Sequence, residues 1–111
     1  MPESPSHRSR KRKAAGGLGI TDYPLPSGRK LDAISVTGIG TEIERGGPAQ
    51  IRKAVSRLKE SLNSGDTRKA RLRVRESNLD VAYEEMRRQR VGGELTNLGG
   101  TTKTHVPKRL K

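Results

Sequence analysis

Residues 48 to 76 constrain the fold most strongly, because a helical pattern is followed almost at once by a strand pattern. Pro48 suits the first position of a helix. The apolar residues after it recur at helical spacing, at Ile51, Val55, Leu58 and Leu62. Residues 69–76 alternate instead, with Ala70, Leu72 and Val74 on one face and basic residues on the other. This succession predicts a crossover between parallel strands of one sheet.

Further strand and helix patterns flank this unit. Residues 31–36 and 41–45 predict two strands joined by a turn centred on Gly38. A second amphipathic helix is indicated by Leu79, Ala82, Tyr83 and Met86. Residues 94–98 and 101–106 indicate one or two weak strands. The sequence therefore predicts an α/β (α+β) domain with a small mixed sheet, in the order ββαβα with a further β element at the end.

The domain organisation follows from where these patterns stop. Pro2 and Pro5, with Gly16 and Gly17, predict that residues 1–17 are a basic flexible arm and that order begins near Leu18. Residues 18–98 then form a single small domain, and residues 99–111 form a basic tail that could hold a last strand. Apolar residues make up only 29% of the chain, which lacks Phe and Trp, so the core must be thin.

The charge of the chain indicates a polyanionic partner. Lys and Arg number 24 against 12 Asp and Glu, which gives a formal net charge of +12. Nucleic acid is the expected partner, with DNA favoured over RNA. Only two aromatic residues are available to stack on unpaired bases, which argues against an RRM-like or single-strand-binding sheet. The cations of the arm, Arg10, Lys11, Arg12 and Lys13, are expected to contact phosphates, although solubilising disorder explains them equally simply. Arg71, Arg73 and Arg75 predict either a phosphate track or an edge strand protected by charge.

Several classes of site are excluded by composition. The chain has no cysteine, so thiolate zinc sites and cysteine nucleophiles are excluded. Its two histidines, His7 and His105, lie in polar surroundings that do not favour a Ser/His/Asp hydrolase. No apolar run approaches the length of a membrane span or resembles a secretory signal, so a cytoplasmic location is expected.

Three acids in the first two predicted strands require an explanation, because carboxylates are disfavoured inside buried strands. A hairpin loop centred on Gly38 places Asp32 opposite Glu44 and on the same face as Glu42. Three carboxylates would then converge, and such a cluster favours a divalent cation with hard oxygen ligands, magnesium above all. Alternatively, the glutamates pair with Lys and Arg of neighbouring strands as an exposed ionic ladder.

The residues from Gly28 to Glu44 resemble a known family. Gly28-Arg29-Lys30-Leu31-Asp32-Ala33, then Thr41-Glu42-Ile43-Glu44 and a helix, a strand and a helix, is similar to the PD-(D/E)XK nuclease fold of restriction endonucleases and Holliday-junction resolvases. In that family the positions of Asp32 and Glu42 bind the metal, and the position of Glu44 is usually Lys, sometimes Glu. The leading helix typical of the family is not visible in the Gly- and Pro-rich residues 14–27.

The resemblance implies a restriction-endonuclease-like core and a metal-dependent endonuclease that hydrolyses DNA. Asp32 and Glu42 would hold Mg²⁺ or Mn²⁺, and Glu44 would orient or deprotonate the attacking water. Residues near the start of the following helix would contact the nucleic-acid backbone, namely Arg45, Gln50, Arg52 and Lys53. A homodimer is compatible with cutting both strands of a duplex. The alternatives are a basic nucleic-acid-binding protein without catalysis or cofactor, and a basic assembly or ribosome-associated factor.

Overall fold

One mixed six-stranded sheet organises the molecule. The computed structural model describes residues 5–16 and 19–108. The helices are α1 (Pro5–Ala15), α2 (Pro48–Asn63) and α3 (Leu79–Arg88), with a 3-10 turn at Glu76–Asn78 before α3. The strands are β1 (Ile20–Pro24), β2 (Lys30–Ile34), β3 (Ile39–Glu44), β4 (Lys69–Val74), β5 (Gly93–Asn97) and β6 (Lys103–Val106). They lie in sequence order across the sheet.

The predicted α+β class and the predicted mixed sheet are confirmed. β1, β2 and β3 form an antiparallel meander, β3, β4 and β5 run parallel, and β6 is antiparallel to β5. The α2 crossover therefore joins two parallel neighbours, as the helix-then-strand pattern predicts. The weak pattern near the C-terminus forms β5 and β6. β3, which carries Glu42 and Glu44, lies in the interior of the sheet.

The core lies on one face of the sheet, under α2 and α3. Leu72 and Val74 of β4 are fully buried there against Ile51 and Leu58 of α2 and Met86 of α3. The intervening residues of β4 are half-buried arginines on the other face, so the predicted division of this strand into an apolar and a basic face is confirmed. At the edge of the core, the Tyr23 hydroxyl donates a hydrogen bond of 3.0 Å to Asp66, which ties β1 to the turn before β4.

The prediction that no packed element precedes residue 18 is wrong for Pro5–Ala15, which form α1. Pro5 opens the helix, and Gly16 closes it at φ 76°, the left-handed conformation that favours glycine after a helix. Ala14 and Ala15 are buried against Ala33 of β2. The helix has no apolar stripe, and its polar contacts to the sheet do not show as a sequence period. Of the predicted arm, residues 1–4 and 17 lie outside the described residues.

The β2–β3 hairpin has a different register from the predicted one. Ala33 pairs with Thr41 and Ile34 with Gly40, because the turn is closed by the Ser35 N–H donating to Ile39 O at 2.9 Å. Gly38 takes φ 86° in this turn. The turn is therefore centred on Thr37, one residue before the predicted centre. The pairing ends at Ala33–Thr41, and the prediction that Asp32 lies opposite Glu44 is wrong.

Candidate functional site

Asp32 and Glu42 meet where the β2–β3 ladder ends. Beyond the Ala33–Thr41 pair, side chains take over the main-chain hydrogen bonds. The Asp32 N–H donates to Glu42 Oε2 at 2.7 Å. In turn, the N–H of Ile43, the residue after Glu42, donates to Asp32 Oδ2 at 2.8 Å. This reciprocal arrangement holds two carboxylates side by side in the interior of the sheet.

Glu42 is a buried carboxylate that pairs with a cation of α2. Its side chain is 1% exposed, and its Oε1 accepts a hydrogen bond of 2.6 Å from Arg57 Nε of α2. Burial and the neighbouring Asp32 raise the pKa of Glu42 to about 8, although Arg57 and the Asp32 N–H act in the opposite direction. The alternative of an exposed ionic ladder is therefore wrong for Glu42, since its partner is a helix residue in a buried pair.

Asp32 faces α1 rather than α2. Its Oδ1 lies 3.6 Å from Lys11 Nζ and 3.9 Å from His7 Nε2. Lys11 is only 6% exposed and makes a closer contact, 2.6 Å, with Asp22 of β1. Burial raises the pKa of Asp32, against the lowering effect of the Ile43 N–H and of Lys11. The positive charge around the two carboxylates therefore does not offset the cost of removing them from water.

Glu44 does not join this pair. It lies two residues beyond Glu42 on β3, and its Oε2 accepts the Gly46 N–H at 2.7 Å in the loop before α2. The prediction of three converging carboxylates is wrong for this residue. Glu44 shares a face with Glu42 because it lies two residues further along the same strand, but its side chain bonds to the loop before α2 and not to Asp32.

The basic face of β4 continues onto α1. Arg71 pairs with Glu94 of β5 at 3.0 Å. Arg73 is half-buried, and its Nε lacks a hydrogen-bond partner. Burial lowers the pKa of Arg73, and the positive charges of Arg71 and Arg10 lower it further. Arg10 of α1 thus lies on the same side of the sheet as Arg71 and Arg73 of β4, and Glu94 pairs with Arg71 on that side.

The other predicted nucleic-acid contacts are spread over the surface. Arg75 follows β4 and is exposed, as are Arg12 and Lys13 of α1. Arg45 is half-buried after β3, while Gln50, Arg52 and Lys53 are exposed in the first turns of α2. Lys11 is the exception. Its ion pairs with Asp22 and Asp32 bury it, so it lies within the carboxylate site rather than on the surface with the other cations of the arm.

Sequence reasoning missed three members of the site. Arg57 lies on α2 among residues that the helical pattern assigns to the solvent, yet it turns to Glu42. His7 and Asp22 surround Lys11 and Asp32. Asp22 adopts φ 54°, a left-handed conformation that is uncommon outside glycine. The acid at Asp22, in an otherwise strand-like segment, was the available signal for this half of the site.

Asp32 and Glu42 fit the magnesium ion that the resemblance implies, and Glu44 does not. Magnesium commonly uses one or two protein carboxylates and completes its shell with water and substrate phosphate. The raised pKa values of both acids are the property expected of a pair that gains from an added cation. Within residues 5–16 and 19–108, no group of three or more histidine, aspartate or glutamate side chains is arranged to hold a metal. Two carboxylates are therefore the available protein ligands there.

Comparison with known proteins adds no assignment. No family model, curated protein or solved structure matches the chain. In the part of the chain that the structure describes, no helix has the length and apolar character needed to cross a membrane. The functional argument therefore depends on the geometry of the site.

Proposed function

We propose that the protein hydrolyses phosphodiester bonds of DNA in a magnesium-dependent reaction. The observation that carries the proposal is the reciprocal contact between Asp32 and Glu42 on adjacent strands. The order of elements supports it, because α1 supplies the leading helix typical of the PD-(D/E)XK family, which the sequence resembles. A cytoplasmic location, with access to DNA, is part of the same proposal.

Each residue of the site has a defined task in this reaction. Asp32 and Glu42 would hold the cation, which when bound would polarise a phosphodiester oxygen and promote ionisation of a water. Arg57 and the Asp32 N–H fix both oxygens of Glu42, which limits its movement. Lys11 lies closer to Asp22 than to Asp32, so it keeps a carboxylate partner when Asp32 engages the cation. Its ammonium group then stabilises negative charge on the phosphate.

The basic face beside the site supports DNA as the substrate. Arg10, Arg71 and Arg73 lie on the side of the sheet that α1 covers in part, and Lys11 of the same helix reaches Asp32. Cations on such a face bind phosphates and position a duplex without reading its sequence. The backbone of the substrate would thus be held next to the carboxylate pair.

The test is cleavage of supercoiled plasmid and branched DNA by the purified protein in magnesium, manganese or EDTA. We expect cleavage with either metal, none in EDTA, and loss of activity to background in Asp32→Ala. Asp80→Ala, which removes an exposed aspartate of α3, is the matched control and should cleave normally. Cleavage that resists EDTA, or that Asp32→Ala leaves intact, would contradict the proposal.

A nucleic-acid-binding module without catalysis is the second candidate. It is favoured by the cations that already accompany each acid, Lys11 at Asp32 and Arg57 at Glu42. In that case the acids stabilise the fold, and the protein binds DNA without cutting it under any of these conditions. Arg73→Ala should then weaken binding, while Asp32→Ala should leave the salt dependence of binding unchanged.

A further inference from the structure

A basic groove lies at the edge of the sheet where β4 and β5 begin. It has a volume of about 810 Å³ and is bounded by the ends of α2 and α3 and by the end of β6. Its basic lining residues come from several segments of the chain and are Lys59, Arg68, Lys69, Arg71, Arg90 and Lys108. We propose that this groove is a second nucleic-acid-binding site, which takes the phosphate backbone of DNA away from the Asp32–Glu42 pair.

Most of the positive charge in the groove is not neutralised by the protein. Glu94 is its acidic lining residue, and it is already paired with Arg71 at 3.0 Å. Arg68 donates to the Thr37 carbonyl at 2.8 Å, which fixes its guanidinium at one end. Within the described part of the chain, Lys59, Lys69, Arg90 and Lys108 have no carboxylate within ion-pair distance. The groove therefore offers several solvated cations to a ligand with repeated negative charges.

Arg90 occupies a position where glycine is the usual residue. The N–H of Val91 donates to Met86 O at 2.8 Å and the N–H of Arg90 to Arg87 O at 3.1 Å, which is the Schellman pattern at the end of α3. Arg90 lies at the left-handed residue of this motif, with φ 61°. Arg90 thus combines an uncommon backbone conformation with a cationic side chain that lines the groove, where a phosphate ligand would contact it.

The floor of the groove is closely packed main chain. A Cβ atom added to Gly93 would lie 2.2 Å from Ala70 O, and one added to Gly92 would lie 2.9 Å from Lys108 Cα. These glycines bring β5 against β4 and against the residues that follow β6. The cations are consequently arranged around a fixed floor.

The composition of the groove favours nucleic acid over an acidic protein. Protein interfaces are enriched in aromatic residues and depleted in lysine at their centres. The chain has two tyrosines and no Phe or Trp, and neither Tyr23 nor Tyr83 lines the groove. Arg71 belongs both to the groove and to the basic face that leads through Arg73 to Arg10. The two surfaces thus form one continuous path for a backbone.

Binding measured without cleavage tests this inference, which rests on the proposed function only for the choice of DNA. In the Asp32→Ala protein, the affinity for a fluorescent duplex is measured over a series of salt concentrations. Lys69→Ala/Lys108→Ala should weaken binding about tenfold at low salt and flatten the salt slope by about 0.9 for each phosphate that is no longer neutralised. Arg29→Ala/Lys30→Ala removes equal charge at the end of the β1–β2 hairpin, outside the groove, and should lower the affinity and the salt slope less than Lys69→Ala/Lys108→Ala does.

Arg90→Gly separates binding from folding. Glycine suits φ 61°, so this variant should unfold at the same temperature or higher while its affinity for DNA falls. Unchanged DNA affinity and an unchanged salt slope in Lys69→Ala/Lys108→Ala would overturn the inference. It would also be overturned if this variant lost its affinity for polyglutamate, used as an acidic-peptide probe, but kept its affinity for DNA. Absence of cleavage by the wild-type protein, together with groove-dependent binding, would contradict the proposed hydrolysis and leave the groove as a binding site.

Discussion

At the scale of single residues, Glu42 is a carboxylate that folding removes from water. A buried carboxylate next to a second one binds a proton more tightly than an exposed glutamate does, and Arg57 offsets this only in part. The folded protein therefore holds a proton on Glu42 at pH values where the unfolded chain has lost it. Protein stability must then depend on pH.

We expect the free energy of unfolding to fall as pH rises through this window. Because the pKa of Glu42 is about 8 in the folded protein against 4.5 ordinarily, the folded state binds more protons between these values. One such proton gives a slope of about 1.4 kcal/mol per pH unit. Urea unfolding in EDTA at several pH values measures this slope, to which Asp32 adds with the same sign. Glu42→Gln should flatten it, and Glu84→Gln, on the surface of α3, should not.

The local spacing of charges predicted part of this site. The acids in two adjacent strands predicted correctly that Asp32 and Glu42 lie near each other. The predicted shared face is wrong, because Asp32 contacts Lys11 of α1 and Glu42 contacts Arg57 of α2, on the opposite side of the sheet. Whether Glu44 lies opposite Asp32 depends on the position of the turn. A single hydrogen bond, from the Ser35 N–H to Ile39 O, sets that position. Arg57 could not be predicted, since its apolar neighbours along α2 fix the face of the helix but not the direction of a long side chain.

At the scale of elements, α1 differs from α2 and α3 in the side chains that attach it to the sheet. α2 and α3 bury apolar residues, whereas α1 contributes Ala14 and Ala15 and a buried lysine. Helices and strands with an apolar period, namely α2, β4 and α3, were therefore predictable. α1 was not, because its partners Asp22 and Asp32 are distant in sequence.

Lys11→Met should undock α1. The change leaves Asp22 and Asp32 without the ammonium group and should cost about 1–3 kcal/mol of docking free energy. Hydrogen exchange measures this directly, with reduced protection of amides in α1 and retained protection in β3 and β4. Lys13→Met removes an exposed charge from the same turn and should leave exchange unchanged. Equal protection of α1 in both variants would contradict the role given to Lys11.

At the scale of the whole molecule, the two faces of the sheet differ in composition. One face holds a thin aliphatic core under α2 and α3, and the other presents arginines beside α1. With no Phe or Trp in the chain, each buried leucine accounts for a large share of the stability.

Leu72→Ala should therefore destabilise the entire fold. The leucine is fully buried on β4, between parallel neighbours β3 and β5, and its truncation should cost about 2–5 kcal/mol. Urea unfolding monitored by circular dichroism would show this as a lower midpoint with an unchanged slope. Val36→Ala, at a hairpin residue that is 71% exposed, should stay within about 0.5 kcal/mol of the parent.

The hydrogen bond between Tyr23 and Asp66 makes tyrosine fluorescence a probe of the contact between β1 and the turn before β4. Since the chain lacks tryptophan, its ultraviolet emission comes from Tyr23 and Tyr83 alone. The fluorescence of a phenol is quenched when its hydroxyl donates a hydrogen bond to a carboxylate. The fluorescence of Tyr23 should therefore increase when β1 separates from the turn before β4. Detachment of the first strand can thus be timed without attaching a dye.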